Sequence, residues 1–167
     1  MPLIRRISRA KWGEIEELIN NSDVSADAIT NCLRTYNNNL SVWYIESVND
    51  LEKAILALIT GKDQDKLSTL HIVIIDEDVA MKKGLTLANT DGNTVVKGLV
   101  DTHRDLTNLT YTKLGIVKDL IIDCLGKDEV QQFTKRKLKE IITKALNERI
   151  LEISDLNEEL IKNEKLQ

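Results

Sequence analysis

The most continuous apolar segment of the chain is Leu70–Ile75, which contains four consecutive β-branched residues and runs directly into an acidic triplet. An apolar run of this length between polar residues is typical of a strand that is buried on both faces. Such burial requires helices, or a helix and a second sheet, on the two sides of the strand. Because an isolated carboxylate is costly to bury, this interpretation predicts that Ile74→Asp unfolds the protein.

A second strand and a helix precede this segment. Leu40–Glu46 alternates its apolar side chains between two faces, as a strand does. Asn49–Thr60 has apolar residues at helical spacing, and Glu52 stands three residues after Asn49, as in a capping box. The order strand, helix, strand predicts that Leu40–Glu46 and Leu70–Ile75 are adjacent parallel strands joined by a right-handed crossover.

The amino-terminal region predicts one further strand and two helices. Leu3–Ser8 is short, apolar and β-branched, and we expect it to form a strand with Arg5 and Arg6 at an edge or end of the sheet. A helix with an acidic outer face follows it. The next helix begins at Ser25, a favourable N-cap residue, and carries Tyr36 on its apolar face.

The region after the acidic triplet predicts a turn and a long helix. Asp91–Asn93 contains an Asp-Gly pair, which predicts a hairpin between Leu85–Asn89 and Thr94–Lys97, with a long ordered loop as the alternative. A helix with a wide apolar face is then expected to begin at Asp101 or Thr102 and to end at Gly126.

The last forty residues have helical patterns. A helix with Val130 and Phe133 on its apolar face is expected to form an antiparallel pair with the preceding helix. Ile150–Ile153 is interpreted as a short extended piece, and Ser154 as the cap of a final helix.

These elements together predict an α+β fold. We expect a small mixed β-sheet containing one βαβ unit, covered by helices, with a mostly helical carboxyl-terminal half. Residues 1–126 are interpreted as the core, and residues 127–167 as a helical extension packed on it, so that the whole forms a single domain.

Composition and charge argue against several classes of function. The net charge of −4 gives no overall basic field for nucleic acid or an anionic membrane. The amino terminus lacks the apolar core of a signal peptide, and no apolar run approaches transmembrane length. Cys32 and Cys124 each lie on the apolar side of a helical pattern. This favours reduced core residues in a cytoplasmic protein over a disulfide.

The acidic triplet is the first of two candidate chemical features. Asp76, Glu77 and Asp78 follow a buried strand, and carboxylates at a strand end can bind Mg²⁺ or Mn²⁺. The segment also resembles a Walker B strand, but the chain contains no Gly-x4-Gly-Lys-Ser/Thr loop, so a P-loop NTPase is excluded. The alternative, which we favour, is that the triplet caps the next turn or helix and is solvated.

A histidine could complete such a metal site. His103 is expected in the first turn of the long helix, next to Asp101, at the rim of the apolar face. There it could act as a metal ligand or general base together with Asp76 and Asp78. We favour the simpler interpretation that His103 is a hydrogen-bonded packing residue and that no metal or other cofactor is bound. Nucleophilic catalysis has little support, since no Gly-x-Ser-x-Gly motif is present.

The second candidate feature is a locally basic helix. Lys135, Arg136, Lys137 and Lys139 lie close together, and the helical order of this region faintly resembles helix-extended-helix nucleic-acid modules. The last helix is acidic, however, and the segment from Lys127 onward has no net charge. We therefore interpret the basic residues as a solvated helix face.

The function expected from the sequence is a non-enzymatic, cytoplasmic protein-interaction or accessory subunit. Its partner would be another, larger protein, as for an immunity or antitoxin-like protein, with no membrane or nucleic-acid ligand. One alternative is a metal-dependent hydrolase or nuclease that uses Asp76, Asp78 and His103. A second alternative is nucleic-acid binding through the basic helix. The sequence does not indicate the oligomeric state.

Overall fold

The computed structural model describes residues 1–21, 23–127 and 129–166. Strands and helices alternate irregularly along the chain, as in an α+β protein. The strands are β1 (Pro2–Ile7), β2 (Leu40–Tyr44), β3 (Leu70–Asp76), β4 (Thr86–Asn89), β5 (His103–Thr107) and β6 (Val130–Phe133). The α-helices are α1 (Ile15–Asn21), α2 (Ala26–Cys32), α3 (Leu51–Ile59), α4 (Glu77–Lys82), α5 (Tyr111–Gly126), α6 (Lys135–Asn147) and α7 (Glu158–Glu164).

The described strands form one sheet in the order β4-β5-β2-β1-β3-β6, and every pair of neighbours is antiparallel. The α+β class is therefore confirmed, whereas the described sheet is antiparallel throughout and not mixed. β2 and β3 run in the same direction and are connected through α3, as the strand-helix-strand pattern predicts. The prediction that they are adjacent is wrong, because β1 lies between them and pairs with both.

The interior position of β1 also corrects the expectation that its arginines lie at an edge or end. Leu3 and Ile4 are fully buried on opposite faces of the sheet. Arg5 directs its guanidinium along one face, where Nη2 donates to Cys32 O at 2.6 Å and Nη1 donates to Ser41 O at 2.7 Å. These carbonyl partners allow a cation to occupy an interior strand, although burial lowers the Arg5 pKa to about 10.

Helices cover the sheet on both faces. Helices α3, α6 and α7 pack on one face and α1, α2, α4 and α5 pack on the other. Within β3, Ile72 contributes to the first core, whereas Val73 and Ile75 contribute to the second. The prediction of a strand covered on both faces is thus confirmed, although Ile74 is only partly buried.

The region between β3 and α5 differs most from expectation. β4 pairs with β5, and residues 94–97 form no strand within the described chain. The chain continues through a 3₁₀ helix into β5, where a helix was predicted. Asn108 then adopts a positive φ of 53°, and the Thr110 side chain caps α5 by accepting from Lys113 N–H. Helix α5 therefore begins about ten residues later than predicted.

The carboxyl-terminal region also differs in topology. Val130 and Phe133 belong to β6, which pairs with β3, rather than to a helix. Because β6 forms the edge of the sheet, it carries the chain from the face with α5 to the face with α6. The predicted antiparallel pair of α5 and α6 is therefore wrong. The division of the chain at residue 126 stays a prediction. β6 pairs with β3 in the sheet, and α6 packs in the same hydrophobic core as α3.

Several helix ends follow their local sequence signals and others do not. The Ser25 side chain caps α2 by accepting from Ala28 N–H at 3.1 Å. The expected capping box at Asn49 is absent, since α3 begins one residue later, after Asp50. Ser154 lies in a 3₁₀ turn, and Asn157 caps α7 instead. Among the described helices, none is both long enough and apolar enough to cross a membrane.

Candidate functional site

The acidic triplet begins a helix. Asp76 is the last residue of β3 and the N-cap of α4, where its Oδ1 accepts from Val79 N–H at 2.9 Å. This hydrogen bond holds the pKa of Asp76 below its ordinary value. Glu77 and Asp78 lie in the first turn of α4, where negative charge complements the helix dipole. The capping role favoured from the sequence is therefore confirmed for Asp76.

His103 lies far from these carboxylates. It begins β5 instead of a helix, and Asp101 lies in the preceding 3₁₀ helix. Two strands separate β5 from β3, which corresponds to about 14 Å at the usual strand spacing. The structure thus does not bring Asp76, Asp78 and His103 together. Within the described residues, no group of three or more histidine, cysteine and carboxylate side chains is arranged to hold a metal ion.

A cleft of about 680 Å³ opens beside the carboxyl end of β3. It exists because β6 is shorter than its neighbour, and their pairing ends where Val73 faces Val130. Beyond that point the described chain offers no strand to pair with Ile74–Asp76 on this side. The end of β3, the start of α4 and the last turns of α5 form the walls.

Main-chain groups of β3 face this cleft. Ile74 O accepts a weak hydrogen bond from Cys124 Sγ at 3.4 Å on the side away from β1. Since alternate residues of an antiparallel strand direct their main-chain groups to the same side, Asp76 N–H also faces the cleft. Burial raises the pKa of the Cys124 thiol to about 11, so the thiol acts here as a neutral donor. The cleft therefore has an exposed strand edge along one wall.

The side chains around the cleft are apolar and acidic. Val79 is 41% exposed and Met1 is 55% exposed, and both belong to the lining. Among the described lining residues, three carboxylates, those of Asp76, Asp123 and Glu129, outnumber the single side-chain cation of Lys127. The cleft thus combines apolar contact area, the end of a strand beyond its last paired residue on this side, and an excess of negative charge.

A smaller pocket, of about 290 Å³, lies at the other half of the sheet and includes His103. His103 Nε2 lies 2.6 Å from Ser41 Oγ, and Nδ1 lies 2.8 Å from Thr90 Oγ1. The ring also makes an edge contact with Trp43, with 5.1 Å between ring centroids. The interpretation of His103 as a hydrogen-bonded packing residue therefore fits its contacts, but both ring nitrogens meet hydroxyl groups.

The environment keeps this histidine neutral. His103 is 8% exposed, and burial lowers its pKa from the ordinary value of 6.5. Asp105 and the main chain of Thr90 favour a proton on the ring, whereas Arg104 and Arg5 oppose it. Because the main chain of Thr90 offers an acceptor on the Nδ1 side, we place the single proton of the neutral ring on Nδ1. Nε2 is then free to accept from the Ser41 hydroxyl.

Gly92 makes this arrangement possible. A Cβ on this residue would overlap the indole ring of Trp43 and would lie 2.9 Å from His103 Cβ. Only a residue without a side chain allows the loop after β4 to pack so closely on the two rings. The Asp-Gly pair that predicted a hairpin turn therefore serves tertiary packing.

The basic helix α6 has ion-pair partners within the protein. Lys137 and Lys144 both contact the carboxylate of Glu52 on α3, at 3.3 and 3.1 Å. Lys135 lies 2.9 Å from Glu164, which is buried and also accepts from Leu67 N–H. The remaining cations of this helix are also engaged: Arg136 lies 3.7 Å from Glu140, and Lys139 donates to Glu164 O. Lys137 and Lys144 thus join α6 to α3, Lys135 and Lys139 join it to α7, and the Arg136–Glu140 pair lies within α6.

Two tyrosines are the most exposed aromatic residues of the described chain. Trp12 and Trp43 are buried, whereas Tyr36 is 81% and Tyr111 is 93% exposed. Tyr36 does not extend the apolar face of α2, because that helix ends at Cys32. Its loop is joined to the segment before Tyr111 through Leu109 N–H, which donates to Asn38 O.

Comparisons of the chain with protein-family models, with curated proteins and with solved structures found no match.

Proposed function

We propose that the protein is a cytoplasmic interaction subunit that binds an extended segment of a larger protein in the cleft beside β3. The observation that carries this proposal is the exposed edge of β3 beyond Val73. An extended segment that pairs with such an edge gains main-chain hydrogen bonds, while neighbouring pockets select its side chains. The cleft supplies both kinds of contact in one place.

The lining indicates what the partner segment contains. Exposed Val79 and Met1 favour apolar side chains that would remove this surface from water. The excess of carboxylates favours a lysine or arginine in the same segment, because complementary charge speeds association and suppresses acidic competitors. The expected ligand is therefore a short, extended, apolar and basic segment.

The other functions considered from the sequence have less support. Asp76 and His103 lie on strands separated by two others, so a hydrolase that uses them with one shared ion lacks a common site. The cations of α6 contact carboxylates or a carbonyl of the protein itself. Nucleic-acid binding through this helix would have to break those contacts. Both alternatives are therefore ranked below protein binding.

The test uses peptides selected from a random display library on the immobilised wild-type protein. The best selected peptide is then titrated by calorimetry against wild type, Val79→Arg and Ile150→Arg. Ile150 is a matched control, since it is 52% exposed and does not line the cleft. We expect Val79→Arg to weaken binding at least about tenfold, a loss of about 1.4 kcal/mol, and Ile150→Arg to leave it unchanged.

A second readout locates the bound peptide. Amide hydrogen exchange should slow at Asp76 when the peptide is present, because pairing protects strand amides. The proposal fails if the library yields only peptides that bind both variants like wild type, or if protection appears elsewhere. If the selected peptides are acidic, the expectation of a basic partner segment is wrong, but the expectation of binding at the cleft is not affected.

A further inference from the structure

We propose that Ser41 and His103 form a second functional site, which catalyses acyl transfer from small esters. The proposal is independent of binding at the cleft, because the two sites lie at opposite halves of the sheet. It rests on the arrangement of three side chains: a serine, a histidine that contacts it, and a threonine that contacts the other ring nitrogen.

The geometry meets the requirements for an activated serine. The Ser41 Oγ to His103 Nε2 distance of 2.6 Å lies within hydrogen-bond reach, as a nucleophile and its general base require. Thr90 contacts Nδ1 at 2.8 Å and takes the place of the group that orients the base in a catalytic triad. The edge contact with Trp43 also restricts the orientation of the His103 ring. The histidine is thus fixed with Nε2 towards the serine hydroxyl.

The pocket in front of the pair can receive a substrate. Ser41 and His103 both line it, together with Trp43, Leu58 and Asn93. Asn93 Oδ1 accepts from Lys62 N–H at 3.4 Å, and its Nδ2 makes no hydrogen bond within the described residues. This amide is therefore available to donate to the negative oxygen that develops during acyl transfer. The volume of about 290 Å³ limits the substrate to a short acyl group.

The proposed reaction has two halves. In the first, Ser41 Oγ bonds to the ester carbonyl carbon while its proton moves to His103 Nε2, and the carbonyl electron pair moves onto oxygen. When that pair returns, the bond to the leaving alcohol breaks, and the alcohol takes the proton from Nε2. In the second half, water attacks the acyl-serine and gives its proton to Nε2. Ser41 then leaves with that proton, and a carboxylic acid is released.

Thr90 acts as a positioning residue in this scheme. Thr90→Ser keeps a hydroxyl for Nδ1, whereas Thr90→Val removes the hydroxyl at nearly constant shape and leaves only the main-chain acceptor of Thr90 beside Nδ1. We expect the valine variant to lower the rate of serine acylation and to change its pH dependence, and the serine variant to restore both. A purely structural role would change stability without changing the pH profile of the reaction.

The primary test is covalent labelling with a fluorophosphonate probe, followed by peptide mass spectrometry. We expect wild type to carry one adduct on Ser41, formed by loss of fluoride. Ser41→Ala should carry none, whereas Ser68→Ala should react like wild type, because Ser68 is exposed and lies outside the pocket. His103→Gln should react at least about 100-fold more slowly, the usual loss for a general base.

Turnover of p-nitrophenyl acetate provides the second readout. Its rate should rise with pH through a midpoint below 6.5, since only neutral His103 can accept the proton. Circular dichroism checks that each variant is folded. Absence of a Ser41 adduct on folded wild type overturns the proposal, as does equal labelling of other serines. Ester hydrolysis that is unchanged in Ser41→Ala also overturns it.

Discussion

The cleft beside β3 and the pocket at His103 lie in the same sheet, yet they differ in how completely their polar groups are satisfied. At the cleft, β3 extends past the end of β6, so its last residues have no partner strand on that side within the described chain. At the pocket, β2 and β5 are paired and both nitrogens of the central histidine have partners. An incomplete strand edge suits association with another chain, whereas a closed hydrogen-bond network holds side chains in one geometry.

The cleft and the pocket differ because the paired strands at the cleft have unequal lengths, whereas those at the pocket have equal lengths. β3 has seven residues and β6 has four, and the four pairs between them leave the end of β3 uncovered. β2 and β5 have five residues each, and a loop closes over their ends. We therefore expect substitutions at the pocket to lower stability, and substitutions at the cleft to change binding with little effect on stability.

The largest expected difference in stability is between substitutions in the part of β3 that pairs with β6 and substitutions beyond it. Ile72 is fully buried, and Ile72→Asp should unfold the protein, because the cost of an unpaired buried carboxylate is comparable to a total stability of about 5–15 kcal/mol. Ile74 is only partly buried, so we replace the prediction made from the sequence and expect Ile74→Asp to leave a folded protein with a lower melting temperature. Circular dichroism melts of the two variants test this contrast. Equal unfolding of both would show that the end of β3 is as closed as its middle.

The next effect concerns the packing of the pocket. Gly92→Ala should lower the free energy of unfolding by about 1–3 kcal/mol, because the added Cβ has no space beside Trp43 and His103. Gly98→Ala is the matched control, since a Cβ there meets no atom within 4 Å. Urea denaturation measures both. A Gly92→Ala protein as stable as wild type would mean that the loop can move away from the rings.

The pH dependence of stability should distinguish the two regions. Burial lowers the pKa of His103 in the folded protein below the ordinary 6.5, so the unfolded chain binds the proton more readily. The stability that depends on neutral His103 is therefore complete above about pH 6.5 and is lost as the pH falls below it. Asp76 also has a lowered pKa, but its contribution is lost only below about its ordinary value of 3.8.

Denaturant titrations between pH 8 and pH 4.5 test whether the contribution of His103 to stability is lost at a higher pH than that of Asp76. Wild type should lose stability over this range, and His103→Gln should lose less. An identical pH slope in the two proteins would contradict a neutral, buried His103. Asp76→Asn should follow wild type over this range.

The smallest expected effect is at the cap of α4. Asp76→Ala removes the acceptor for Val79 N–H, and we expect a slight fall in melting temperature. Asp76→Asn keeps a good capping group and should melt like wild type. Calorimetric melts at neutral pH compare the two. An equal fall for asparagine and alanine would mean that the charge of Asp76, and not its capping hydrogen bond, stabilises this region.

Local patterns in the sequence determined the α+β class, the strands β1, β2 and β3, the helix that connects β2 with β3, and the cap at Ser25. Each of these depends on residues close together in the chain, such as the β-branched run of β3 or the Ser25 hydroxyl beside Ala28 N–H. The capping role of Asp76 was predictable for the same reason.

Only the tertiary structure decided where β1, β5 and β6 lie. β1 contains two arginines, and its interior position depends on carbonyl groups of Cys32 and Ser41, which are distant in sequence. β5 and β6 are four or five residues long with weak alternation, and they become strands because β2 and β3 offer free edges. The meeting of Ser41, Thr90 and His103 follows from that pairing. Main-chain hydrogen bonds between strands join residues far apart in the chain. A local sequence pattern therefore does not predict which strands pair with each other.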